Sequence, residues 1–223
     1  RRALEALREP LEEGAVHIAR ASMSLRFPAE FLLLAAMNPC PCGYSVAHLP
    51  EAAKKASGHT LCMCSFDQLQ RYRARLSGPL LDRIDLHVGV LPVPFRDYAR
   101  PKAGQTSAQV ARRVAQARGR QAARLGPCGL NARMSAAQLR LHVPLVEPIG
   151  ALLATAVDAH ALSNRAVGRV LKVARTLADL EDCEVVHSAH VREALSFRLL
   201  EAGCSRPAPP STDHGGAGPF ASS

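Results

Sequence analysis

An α/β unit followed by an all-helical bundle is the fold class the sequence predicts. Three observations carry that expectation. A continuous apolar run of strand length occupies 31–36, breaker-rich connections surround it, and beyond residue 104 the apolar pattern is helical throughout. The chain has 223 residues, room for one ordinary domain with a small companion. It is 48% hydrophobic and 21% charged, enough for a sizeable core. Aromatics make up 4% and Trp is absent, so that core rests on Leu, Val, Ile and Ala.

Leu4, Leu7 and Leu11 recur at helical spacing, and Gly14 can end the turn that follows. Residues 16–19 alternate like a short strand, and 24–30 return as the second arm of a hairpin. The run 31–36 reads as a buried parallel strand that ends at Asn38-Pro39. Residues 40–64 are irregular, with Pro39, Pro41, Gly43, Pro50 and Gly58 as breakers. A helix is expected over 66–76, then the breaker Ser77-Gly78-Pro79, a helical turn over 80–83 and a strand over 85–90. Pro92 and Pro94 open a linker that reaches Gly104. Ser107 is positioned to cap a helix reaching about Leu125, with Val110, Val114, Ala117 and Leu125 facing inward. Helical patterns follow at 135–141, 148–159, 163–180 and 188–200. The implied domains are 1–95, a linker at 96–104, a helical region at 105–202 and a disordered Pro/Gly/Ser-rich tail at 203–223.

The formal net charge is +9, from 28 Lys and Arg against 19 Asp and Glu. Eight basic residues and no acid fall between Pro101 and Arg140, so this stretch carries nearly the whole excess. Such charge favours polyanionic partners. The longest apolar run, 31–37, is far too short to span a bilayer, so no membrane role is expected. Seven cysteines, four of them in tight pairs, suit a metal site or reduced cytosolic thiols better than a secreted disulfide framework. Neither an H-E-x-x-H motif nor a Ser-His-Asp signature is present.

Asn38 sits off the carboxyl edge of the expected strand, where open α/β sheets place ligand contacts. Its amide both donates and accepts; the plainer reading is a turn cap before Pro39. Arg83 lies on the rigid turn SGPLLDRID (77–85), where its forked guanidinium suits a phosphate. The alternative is an ion pair with Asp82 or Asp85. Arg165 lies in the first turn of a helix capped by Ser163, where a cation opposes the helix dipole and points to an anionic ligand or partner, the alternative being an ordinary solvated arginine. Cys40, Cys42, Cys62 and Cys64 form two C-x-C pairs whose four thiolates suit zinc, with His48 and His59 as alternates; reduced cysteines flanking a loop are the other reading. Cys128, Cys183 and Cys204 lack partners in the pattern. Arg113, Arg120 and Arg124 are spaced to share one helix face and suit phosphates; the alternatives are a solvated surface or one that faces an acidic patch on a neighbouring subunit.

The segments LEALREPLEEGAVHIARA (4–21), FPAEFLLLAAMNPCPCGY (27–44), RYRARLSGPLLDRIDLHV (71–88), LNARM (130–134) and LSNRAVGRVLKVARTLADLE (162–181) together resemble the ComM/YifB family. These are magnesium-chelatase-like AAA+ ATPases linked to competence and DNA recombination. The resemblance implies the C-terminal part of an AAA+ P-loop NTPase core followed by an all-α lid bundle. It implies ATP and Mg2+ as cofactors, and a cytoplasmic, hexameric, helicase-like parent that translocates or branch-migrates DNA. Asn38 then corresponds to sensor 1, Arg83 to an arginine finger offered to a neighbouring subunit, and Arg165 to sensor 2. Arg20 and Arg26, on a hairpin inserted before the sensor-1 strand, correspond to DNA-backbone contacts. The chain contains no G-x-x-x-x-G-K-[ST] and no hydrophobic run ending in Asp-Glu. The expectation is a fragment beginning just downstream of those motifs and unable to hydrolyse ATP alone. Two other readings compete: a non-catalytic zinc-containing DNA-binding module, and a metal-chelatase ATPase subunit.

Overall fold

The structure, a computed structural model, describes residues 2–20, 23–45, 62–90, 93, 95–100, 103–160 and 162–198. The expected tail at 203–223, Cys204, His48 and His59 lie outside the described residues.

Helices α1 (Arg2–Ala6) and α2 (Arg8–Glu13) lead into a two-stranded antiparallel hairpin, β1 (Ala15–Arg20) and β2 (Met23–Pro28). Gly14 ends α2 at φ 62°, the left-handed geometry that glycine adopts without strain. Its N–H donates to the Pro10 carbonyl at 3.0 Å. The register pairs Ala15 with Pro28 and Arg20 with Met23. One hairpin face therefore carries Val16, Ile18, Met23, Leu25 and Phe27, and the other carries His17, Ser24 and Arg26.

The expected strand at 31–36 does not form; the segment has no regular structure, and Leu32 and Leu34 are each 92% exposed. A parallel strand exists only through its ladder to neighbours. Among the described residues the sheet has two strands, and neither pairs with 31–36. The strand expected at 85–90 shrinks to one parallel bridge between His87 and Arg198.

Helix α3 (Phe66–Arg73) begins with a reciprocal Ser65–Gln68 capping box, and the short α4 (Gly78–Leu81) is capped by Ser77, with Pro79 in its first turn. The expected linker contains a helix, α5 (Phe95–Ala99), across which the Phe95 and Tyr98 rings lie 6.5 Å apart.

The second region is helical, as its period predicts: α6 (Ser107–Leu125), a 3-10 turn at Asn131–Arg133, α7 (Ala136–His142), α8 (Ile149–His160), α9 (Asn164–Leu180) and α10 (Ser188–Ser196). Thr106, one residue earlier than expected, caps α6 through a box with Gln109. Only the second half of α6 is packed. Ala117 is buried, whereas Val110 and Val114 are 44% and 48% exposed, against the inward-facing expectation. Helix α9 is the hub, packed against α6, α7 and α10. The principal apolar cluster contains Val143, Ile149, Leu153, Val170, Leu171, Ala174, Ala178, Val186, Val191 and Ala194. A smaller cluster of Ala156, Leu162 and Ala166 adjoins the start of α9.

A polar knot lies beside this core. Asp179 is fully buried and accepts from Arg124 at 2.7 and 3.0 Å, from Asn131 at 2.7 Å and from Arg175 at 3.0 Å. Burial raises its carboxyl pKa, but the hydrogen bonds from Arg124 and Asn131 and the charges of Arg175 and Arg124 outweigh that and hold it below the usual range. No helix among the described residues is long and apolar enough to cross a membrane.

Candidate functional site

Glu12, near the end of α2, is where the two arginines singled out by the sequence meet. Its Oε2 accepts from Arg83 Nη2, and its Oε1 pairs with Arg165 Nη2. The Arg83 side chain is only 9% exposed, and its Nη1 donates to the Pro79 carbonyl at 2.6 Å. Ser77 and Pro79 fix the turn that carries it. Ser163 caps α9 by accepting from the Ala166 N–H at 3.1 Å, which sets Arg165 in the first turn.

The flanking carboxylates have other partners. Asp82 accepts from Ser163 Oγ at 3.2 Å, and Asp85 pairs with Arg169. Arg83 pairs with Glu12 instead, so the local Asp–Arg pair that the sequence offered as an alternative is replaced by contacts reaching α9. Arg198 Nη1 donates to the Ile84 carbonyl at 2.6 Å, and His87 N–H donates to the Phe197 carbonyl at 2.7 Å. The 82–87 segment is thereby stitched to the start of α9 and to the residues that follow α10. His87 is 4% exposed. Burial, then the charge of Arg198, pulls its imidazole down to about 4.

Asn38 is exposed and does not join this cluster; its carbonyl accepts from the Tyr72 hydroxyl on α3 at 3.1 Å.

The four cysteines do come together. Their sulfurs all lie within 4.8 Å of one another, with Cys40–Cys42 at 3.2 Å, Cys42–Cys62 at 3.7 Å and Cys40–Cys62 at 3.8 Å. Sulfurs at 2.3 Å from a tetrahedral ion lie about 3.8 Å apart, so the spacing fits zinc. Cys40 is buried and accepts the Ser45 N–H at 3.3 Å, the kind of outer hydrogen bond that orients a thiolate ligand. The backbone N–H of Tyr44, then the Cys40 thiol, pulls the Cys42 thiol down to about 6. At Cys64 a hydrogen bond with the Cys42 backbone acts downward, but loss of solvent and the neighbouring thiols outweigh it and push the group up to about 12. One sulfur is thus predisposed to ionise, and a bound cation favours loss of the remaining protons.

The basic residues separate into two kinds. Arg124 is committed to Asp179 and Asn131, and Arg120 donates to the Asp179 carbonyl at 2.7 Å and pairs with Asp182. Arg113 is exposed and donates to Gln105 at 3.3 Å. Arg20 and Arg26 are exposed on opposite faces of the hairpin. Spacing alone missed Glu12 and Asp179, and it paired Asp82 and Asp85 with Arg83 rather than with Ser163 and Arg169; the Arg175–Asp179 pair at i, i+4 was the one signal available for Asp179.

Residues 1–98 match the family described as Magnesium chelatase, subunit ChlI, and residues 104–198 match Magnesium chelatase, subunit ChlI C-terminal. The hairpin and Arg83 turn in the first match, and the bundle in the second, define a magnesium-chelatase-like protein. The chain is 38% identical to YifB of Escherichia coli over 90% of its own length and 37% of the relative's. It is 37% identical, with the same coverages, to the competence protein ComM of Haemophilus influenzae. It is 39% identical to an uncharacterized Mycobacterium tuberculosis protein, over 90% of this chain and 38% of the relative. The chain belongs to the ComM/YifB family. It spans a little over a third of the length of these relatives.

Proposed function

We propose that the chain supplies the phosphate-sensing and lid elements of an ATP-hydrolysing, magnesium-chelatase-like AAA+ motor. The observation that carries this reading is the convergence of Arg83 and Arg165, distant in sequence, on the one carboxylate of Glu12. Two forked cations that meet at one anion have the geometry needed to grip a phosphate. In this role Arg83 acts as the arginine finger toward a neighbouring subunit's ATP, and Arg165 as sensor 2. Asn38 acts as sensor 1, orienting the attacking water. Mg2+ and the phosphate cradle come from outside these residues. The parent is a hexamer that moves DNA, a reading supported by the kinship with a competence protein and by the acid-free basic stretch. Within that stretch Arg113 is the exposed DNA-facing candidate, whereas Arg120 and Arg124 serve the bundle first.

Zinc held by Cys40, Cys42, Cys62 and Cys64 completes the proposal. Its role is structural, closing the two ends of the 40–64 segment between Asn38 and α3. The purified chain is expected to contain one zinc per molecule by metal analysis. Less than half an equivalent rejects the site.

The 223-residue chain alone is expected to hydrolyse no ATP. Turnover by it that Arg83→Ala removes contradicts the proposal. In a fusion placing this chain behind the phosphate-loop region of YifB, Arg83→Ala should lower hydrolysis by about a thousandfold while ATP binding persists. Hydrolysis unchanged by that substitution excludes the finger role.

A further inference from the structure

We infer that Glu12 is a built-in anion that occupies the arginine seat and must leave before a polyphosphate enters. The inference rests on the reading of Arg83 and Arg165 as phosphate-sensing residues and adds a gate to it. Three sources of positive potential point to one place: the Arg83 guanidinium, the Arg165 guanidinium and the N-terminus of α9 beneath Arg165. A cation in the first turn of a helix works against the dipole unless an anion sits beside it. Glu12 supplies that anion, one carboxylate oxygen to each arginine.

The neighbouring acids on the same helices are engaged elsewhere. Glu9 meets His17 at 2.6 Å, Glu13 lies 3.8 Å from the same ring, and Glu5 meets Arg8 at 3.3 Å. Of these acids, Glu12 is the one that pairs with the two arginines. The carboxylate is 35% exposed and the Arg165 side chain 47% exposed, so solvent reaches the bridge and a competing anion can too. Arg83 is held inward by Glu12 and the Pro79 carbonyl. In this arrangement it cannot extend toward a neighbour's nucleotide. Releasing Glu12 removes the side-chain tether and leaves one backbone hydrogen bond to break.

The same carboxylate also joins the first region to the lid helix, since Glu12 belongs to α2 and Arg165 to α9. Phosphate entry and loosening of this contact are then one event. The ligand class is an inorganic or nucleoside polyphosphate, which presents several oxygens to two forked donors.

The test is pyrophosphate affinity of the full 223-residue chain, measured calorimetrically for the parent chain, Glu12→Gln, Glu12→Asp and Glu13→Gln. Glu12→Gln should bind about tenfold tighter. Glu12→Asp, too short to bridge both arginines, should also bind more tightly than the parent. Glu13→Gln, which removes the same charge one residue away, should match the parent. Equal gains from Glu12→Gln and Glu13→Gln overturn the gate in favour of general electrostatics, and no gain from Glu12→Gln overturns it outright. Melting curves without pyrophosphate establish that each variant is folded. Arg83→Ala and Arg165→Ala in the Glu12→Gln background separate the two ideas. If both reduce affinity but Glu12→Gln itself gains nothing, the seat stands and the gate fails. If neither reduces affinity, the seat fails, and the gate with it.

Discussion

The helical bundle and the region before it solve the problem of apolar surface in opposite ways. Both apolar clusters of buried residues draw all their members from Val143 to Ala194. Before the linker, Ile18, Met23, Leu25 and Phe27 on the hairpin, and Leu32 and Leu34 after it, remain substantially exposed. The two regions meet through polar contacts: Glu12 with Arg165, Asp82 with Ser163, Asp85 with Arg169, Glu30 with Arg133 and Arg198 with the Ile84 carbonyl. Apolar packing makes the bundle a rigid platform. A charged seam makes the join responsive to ions, and the arginine seat lies in that seam. The proposed function thus falls where the cohesion is electrostatic.

The sharpest way to break the contrast is Asp179→Ala. It leaves the buried Arg175 and the half-buried Arg124 without their shared carboxylate and should cost the bundle about 3–5 kcal/mol in urea unfolding. Leu153→Ala, in the principal apolar cluster, should cost about 2–4 kcal/mol by the same measurement.

Acid should act on the seam. The folded-state pKa of His87 is depressed to about 4, so the unfolded chain binds the extra proton first. Stability from this group is full above the unfolded value of about 6.5 and falls as the pH drops toward 4. Between pH 7 and 5 the loss should be about 2 kcal/mol, and His87→Asn should flatten that slope. Asp179 acts in a lower window. Its folded pKa is depressed, so its contribution holds above the unfolded carboxyl value of about 3.9 and disappears as pH falls through the folded value. The smallest effect should be that of Leu34→Ser, within about 0.5 kcal/mol, because the side chain is 92% exposed. A loss above about 2 kcal/mol there would show that the first region has a core of its own and dissolve the comparison.

What could be read from the sequence follows from range. Helices and the hairpin are encoded locally, so α9, its Ser163 cap and the 15–28 turn-back were legible in periodicity and capping residues. The strand at 31–36 was not, because its apolar run specifies burial without naming a partner. Arg120 and Arg124 show the same limit from the other side. Spacing places them together but does not say whether the face looks to solvent or, as here, to Asp179. Arg83 and Arg165 were legible as unusual arginines, and the cysteine pairs as thiols that could cluster. Glu12 was invisible, since nothing in LEEG marks the glutamate whose partners lie far along the chain. Long-range pairing decides such positions, and one sequence does not record it.

The proposed seat requires Arg83 and Arg165 to serve a single anion. A double-mutant cycle on pyrophosphate affinity, with Arg83→Ala and Arg165→Ala in the Glu12→Gln background, tests that directly. One shared seat predicts that the two losses are coupled, with the double variant departing from the sum of the singles by more than about 0.5 kcal/mol. Losses that add within about 0.3 kcal/mol would place the two arginines at separate sites, and absent losses would leave no seat at all; either result contradicts it.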